Sequence, residues 1–480
     1  MNPDSRIQKP RTERPLDLAR ARDGFRFFRC LMKWVFLLAV SASTVSAQSF
    51  AILHNFGGRT NDDGAAPAAS MVLSGGTLYG TTEAGGVPGY GTVFRVNTDG
   101  SEYAVLVHCD FPDAYPQGPV ALAGAKLYCA TQGGAQQPGP GYPWAEWIES
   151  WGTVFSVNTN AENYHRMLEW GAIHYWWGQV TTGPAGGWPQ AGLRLSEETL
   201  YGTAEGAIFK VDTLGNGYAV LKELNGHSSA EVLVSGNTLF GTTCDGGDSN
   251  LGKVFAFDTV SGNYTVLKHF TGADGAAPQA SLVLGGTRLY GTTESGGQFG
   301  QGTVFSVRTN GADFAVLKHF SGSDGGFPHS QLHLSGDRLF GTTGIGGRFN
   351  HGTVFQIQTN GAAFAVLKHF NGDDGDEPYG GLVLGDTTLY GTTADGGMFD
   401  EGVIFSLALA PSLYHQAFDG TNHTFSFQTF SNLGYTVQFN DALTTTNWLF
   451  YTNLTGNGGM MGFVTRPTDS PRRFFRVRQP

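Results

Sequence analysis

The sequence predicts an all-β protein: a seven-bladed β-propeller of four-stranded antiparallel blades, closed by its N-terminal strand and followed by a small C-terminal β-sandwich. Three observations predict it. A stretch led by Leu78, Leu127, Leu200, Leu239, Leu289, Leu339 and Leu389 recurs with steps of 49, 73, 39, 50, 50 and 50 residues, and a fixed long period marks a repeat architecture. Each copy sits among four short β-rich runs. The repeat region opens on a run of the fourth type, Phe50 to Phe56, and stops after a run of the third type near Leu407.

Composition agrees. Gly supplies 71 of 480 residues, charged residues are 14% and aromatics 13%, which favours short strands and tight turns over helices. Apolar residues recur too steadily for disorder. The net charge is −11 with no long basic stripe in the mature part, so nucleic acid is not an expected partner. Of four cysteines, Cys30 precedes the expected cleavage point. Cys109, Cys129 and Cys244 remain, an odd number that excludes a disulfide framework. Cys109 with Cys129 is one bridge to consider; three small core or loop residues is the other reading.

Residues 1–47 read as a signal-peptide region. Met32-Lys33-Trp34 leads into an apolar run and the small-x-small exit Val45-Ser46-Ala47, complete in itself if Met32 is the true start. The competing reading is an anchor that stays uncut. Either way the bulk of the chain, with no second apolar run of membrane length, is expected outside the cell, at its surface or in the periplasm.

Residues 48–408 carry the propeller. In the cleanest unit Ser281–Leu284, Arg288–Thr293, Thr303–Val307 and Phe314–Phe320 are the four runs, with hairpin turns at Gly285-Gly286 and Asn310-Gly311. One such sheet cannot bury both faces alone. Seven packed around an axis can, and completing the last unit with residues 50–56 would leave no open edge. A linear solenoid competes, but its end repeats should look like caps.

The combination of Leu-Tyr/Phe-Gly-Thr-Thr, a Gly-Gly loop, Gly-Thr-Val-Phe and Ala-Val-Leu-x-x-Phe resembles the GloVer tandem repeat of exported, choice-of-anchor bacterial proteins, over about residues 49–407. The order of runs also resembles kelch repeats, without the kelch tryptophan. Neither resemblance implies a catalytic residue set, a metal or a cofactor.

In such a blade the Gly-Gly loop and the Asp-Gly-x-x-Pro link share one rim, where binding usually sits. Blade two lengthens that rim at residues 132–151 and 169–190. The two segments hold Trp144, Trp147, Trp151, Trp170, Trp176, Trp177 and Trp188, seven of nine tryptophans. Blade three is short there, so a cleft is expected beside an aromatic wall. One reading is a stacking platform for glycans, with Glu146, Glu149 or Glu169 as polar contacts. The other is tryptophans packed on each other to hold long loops. Two carboxylates across the cleft would suit a polysaccharide hydrolase or lyase, although nothing pairs them.

The Asp-Gly pairs at Asp63, Asp274, Asp324 and Asp374 are read as Asx turns rather than calcium loops. His54, His108, His269, His319 and His369 are read as one surface position of the fourth strand. Residues 411–480 carry alternating runs such as Tyr435–Phe439 and Phe474–Val477, read as a β-sandwich resembling C-terminal modules of exported bacterial proteins. The expected role is a monomeric, non-enzymatic binding or scaffold protein with a glycan or protein partner.

Overall fold

The computed structural model describes residues 49–57, 62–136, 145–175, 180–182 and 187–409, and the C-terminal strands between 413 and 478. None of the described residues is helical, and none of their segments is a helix long and apolar enough to cross a membrane. Seven antiparallel sheets follow one another along the repeat. Six have four strands and one has six.

Blade five shows why the residues repeat. Val283–Gly285, Arg288–Thr293, Thr303–Arg308 and Ala315–His319 pair in chain order. Gly291 stands opposite Phe305, whose ring lies across it; a Cβ at Gly291 would sit 2.7 Å from the ring tip. The glycine of Leu-Tyr-Gly-Thr-Thr is therefore a packing requirement set by the phenylalanine of Gly-Thr-Val-Phe. Leu289, Val304, Phe305 and Val307 are all fully buried, because neighbouring blades cover both faces of the sheet.

The joints between blades repeat as well. Phe320, at the end of blade five, packs edge-on against Phe355 at 5.1 Å and Phe364 at 6.0 Å in blade six. Phe270 does the same with Phe305 and Phe314, and Phe370 with Phe405 and Phe50. Beside each trio a lysine covers a ring: Lys268 lies 4.4 Å over Phe314, Lys318 4.4 Å over Phe364 and Lys368 4.3 Å over Phe50. The same lysines pair with Asp274, Asp324 and Asp374. Each aspartate also accepts a backbone N–H at 2.9 Å, from Thr271, Ser321 or Asn371. Burial pushes the Asp274 and Asp324 carboxyls up, but the lysine and amide bonds outweigh it and hold both below the ordinary carboxylate value.

This frame corrects the histidine alignment. His54 pairs with Asp63 at 3.2 Å and so occupies the lysine position. Asn55 stands where His108, His269, His319 and His369 stand: Asn55 Oδ1 accepts the Met398 N–H, as the Nδ1 of each histidine accepts a loop N–H at 3.1–3.2 Å. These histidines fasten the Gly-Gly loop.

A third joint uses the first threonine of Gly-Thr-Thr, which donates to a carbonyl of the next blade's link. The series is Thr81 to Gly118, Thr203 to Ala230, Thr242 to Ala280, Thr292 to Ser330 and Thr342 to Gly380. Thr392 in blade seven donates to Ala69 in blade one at 3.1 Å, and the Gly381 N–H donates to Ser70 at 2.8 Å. Phe50–Asn55 runs antiparallel to Val403–Ala408, with Phe50 opposite Leu407 and Asn55 opposite Val403.

Blade two departs most. The segments expected to be loops are largely strand. Ala145–Asn158 and His165–Tyr175 form one long ladder, flanked by Gly134–Gln136 and Val180–Thr182. The third and fourth strands simply continue past the rim. Cys129 takes the place of the packing glycine, and Cys109 takes the place of the joint phenylalanine. The added and removed volumes compensate beside Phe155, in one buried cluster. Both thiols are free and buried, so the bridge considered above is not formed. Beyond residue 409 the strands make two three-stranded sheets: Leu413–Phe418, His423–Gln428 and Met460–Thr465 in one, Leu449–Thr455, Gly434–Asn440 and Phe474–Arg478 in the other.

Candidate functional site

The chain enters six blades through a residue followed by proline. Those residues are Ala66, Tyr115, Trp188, Ala277, Phe327 and Glu377, each with a φ between 45 and 60°. That left-handed conformation is uncommon for non-glycine residues. At five of these junctions the residue donates its N–H to the carbonyl just before the Gly-Thr-Val-Phe strand of the preceding blade: Glu401, Tyr90, Trp151, Leu251 and Gln301 in turn. That bond brings the two backbones of each junction together beside the long loops.

Two adjacent junctions are aromatic on both sides. Tyr90 and Tyr115 meet edge-on at 5.6 Å between blades one and two. Trp151 and Trp188 stack at 5.4 Å and 29° between blades two and three, with Trp188 38% exposed. The Trp151 indole N–H donates to Glu149 at 3.3 Å. This is the part of the expected platform that the described residues bring together.

Trp170 does not belong to it. It is fully buried, edge-on to Phe209 at 5.2 Å and Tyr218 at 5.7 Å, and its indole N–H donates to the Tyr218 hydroxyl at 3.1 Å. These are the contacts Phe320 makes in blade five. Trp170 is the joint phenylalanine enlarged, and its burial removes it as a ligand contact. Glu169 is 3.5 Å from Arg166, which makes a two-pronged contact with the buried Asp113. Burial pushes the Glu169 carboxyl up, against the pull of Arg166. Asp113 also accepts from Tyr164 and Thr153, so this cluster buttresses the base of the long ladder. Trp144, Trp176 and Trp177 lie outside the described residues, as do the side chains of Trp147 and Glu146.

A second feature was missed by sequence reasoning. The residue after each linker proline turns to the axis, where Gln117, Gln190, Gln279, His329 and Tyr379 help line a cavity of about 430 Å³. A further cavity of about 380 Å³ continues along the innermost strands, and Glu231 borders both. Gln279 is a hub: it accepts from His329 at 2.9 Å and from Ser229 at 3.4 Å, and donates to Glu294. Gln117 donates to Glu83 at 3.2 Å. Glu231 is buried against Arg194 at 2.8 Å; burial pushes its carboxyl up and Arg194 opposes this. Burial pushes His329 down, which favours the neutral ring.

With this geometry in place, the family comparison is specific. The family model described as the Gloeobacter/Verrucomicrobia repeat matches residues 39–204, 149–311 and 227–464. The chain belongs to the Gloeobacter/Verrucomicrobia repeat family. Comparison with curated proteins finds no match. Among solved structures, the chain is similar to a chain of a mitotic checkpoint complex, at 15% identity and TM-score 0.46, covering 78% of this chain and 98% of that one. It is similar to the extracellular domain of a hybrid two component system from B. thetaiotaomicron, at 10% identity and TM-score 0.48, covering 84% and 47%. It is also similar to a chain of a nidogen/laminin complex, at 12% and 0.35, covering 56% and 86%.

Within the Gloeobacter/Verrucomicrobia repeat of this chain, the positions that build blades and joints hardly change, whereas the residues on either side of the linker proline do. After it come Ala68, Gln117, Gln190, Gln279, His329 and Tyr379. Variation at one place in an otherwise repeated frame is the signal that marks the axial site.

Proposed function

We propose that this is an exported binding protein that recognises glycans on the aromatic junctions of its long-loop face. The repeat family and the propeller fold support a binding or scaffold repeat protein at the coarser level. The observation that carries the sharper reading is the Trp151–Trp188 pair, part-exposed, stacked and held by Glu149, next to Tyr90–Tyr115. Flat rings with one polar edge suit the apolar face and hydroxyl rim of a sugar. Export is supported by the charged start, apolar run and Val45-Ser46-Ala47 exit.

Two architectural readings go with it. Phe50–Asn55 acts as the outer strand of blade seven and locks the circle; Phe50 lying beneath Lys368, where Phe364 lies beneath Lys318, supports this. The two C-terminal sheets make a β-sandwich that serves as an accessory or attachment module.

The test is a glycan array followed by titration. Trp188→Ala is expected to weaken binding about tenfold while leaving the melting temperature nearly unchanged, since a part-exposed stacked ring is worth roughly one to two kcal/mol. Binding indifferent to both Trp188→Ala and Trp151→Ala would remove the platform.

A protein partner is the second reading. Phe299, Phe349, Met398 and Phe399 are 49–76% exposed on the Gly-Gly loops of blades five to seven, a run of apolar tips that a protein surface would cover.

A further inference from the structure

We propose that the mouth of the central channel is a separate binding site for a neutral, polyhydroxylated small molecule of mono- or disaccharide size. The site does not depend on the aromatic junctions, because it uses the residues after each linker proline rather than those before it.

The chemistry of the wall selects the ligand class. Among the described residues no lysine or arginine lines this cavity, and Arg194 on the further cavity is committed to Glu231, so a phosphate, sulfate or carboxylate would find no free counter-charge. Serines and glutamines are spread around the wall among small apolar residues, so a lipid or flat apolar ligand would leave those polar groups without partners. The Glu231 charge is already balanced by Arg194, and the Glu83 carboxylate is already bonded to Gln117. What the wall offers is amides. Each glutamine presents two donors and an acceptor, which suits vicinal hydroxyls that both give and take a hydrogen bond.

Two of these amides are uncommitted. Among the described residues, the side chains of Gln132 and Gln190 make no hydrogen bond to the protein, and both border the cavity. Gln279 is the opposite case, held in place by His329, Ser229 and Glu294. A fixed hub facing free amides is a preorganised site rather than a polar surface. A volume of about 430 Å³ lies within the range of small-molecule pockets. The lining comes from every blade, so the site exists only while the ring is intact.

The experiment is saturation-transfer NMR on the whole mature chain. The probes are glucose, galactose, mannose, xylose, N-acetylglucosamine, cellobiose and maltose, with spermidine and inorganic phosphate as charged controls. At least one neutral sugar is expected to bind, and Gln279→Ala to weaken it tenfold or more, with Trp188→Ala leaving it unchanged. Gln190→Ala is the second variant. It removes an exposed amide that supports nothing else, so a loss of binding there is not a folding defect. The proposal is overturned if no sugar binds more tightly than about 50 mM, if binding survives both glutamine variants, or if only spermidine or phosphate binds. Loss on Trp188→Ala with both glutamine variants silent would place the sugar on the aromatic junctions and count against the axial site.

Discussion

A chain that begins at residue 57 is expected to lose the folded ring. The missing segment contains Phe56, which is fully buried and packs on Phe94 at 5.6 Å and Tyr103 at 6.0 Å at the joint with blade one. It also contains Phe50 and Ile52, which cover the cluster of Phe405 and Leu407. Deleting one such phenylalanine side chain costs about 3–5 kcal/mol. Removing the whole strand costs more than that, against a typical total stability of about 5–15 kcal/mol. It would also bare the edge of Val403–Ala408, and an open apolar edge invites pairing between molecules. Size-exclusion chromatography and circular dichroism are expected to show aggregation or an early melt. A synthetic peptide of residues 48–57 is expected to restore the monomer.

Trp170→Ala is expected to be the most damaging single substitution among the tryptophans whose side chains the structure describes, lowering stability by about 3–5 kcal/mol. The indole fills the joint between blades two and three with Leu200, Phe209 and Val211. Trp170→Phe is expected to cost far less, near the 1 kcal/mol of one lost hydrogen bond. Phenylalanine already does this work at 270, 320 and 370, so the ring contacts are largely kept while the bond to Tyr218 and the extra volume of the indole are lost. Chemical denaturation of the two variants measures the difference. A small loss for Trp170→Ala joined to weaker glycan binding would return this residue to the exposed face.

Blade number and strand order were legible because ring packing forces the same glycine opposite the same phenylalanine in almost every unit. Trp170 was misread for a local reason. The fourth strand of blade two carries His165-Arg166-Met167 where other blades carry Ala-Val-Leu, and without that pattern its alignment slips by one residue; the ladder sets Arg166 opposite Phe155 as it sets Val316 opposite Phe305. His54 was misplaced in the same way, since His54-Asn55 stands for the Lys-His of other blades. The segment from 145 to 151 departs from the repeat and so reads as loop, although Trp147, Ile148 and Trp151 are residue types that strands favour. The axial glutamines were overlooked because amides carry no motif. They emerge only when equivalent positions are brought around one axis.

A closed ring requires the first strand of the repeat region to serve the last blade. A chain carrying Ala51→Cys and Ser406→Cys, with Cys244→Ser to remove the part-exposed thiol, tests this most directly. The two positions face each other across the ladder, and directly opposed strand positions bring Cβ atoms near the range a disulfide spans. Mild oxidation is expected to give an internal crosslink in nearly every molecule and a higher melting temperature. Crosslinking only between molecules, or thiols that stay free in folded protein, would contradict it.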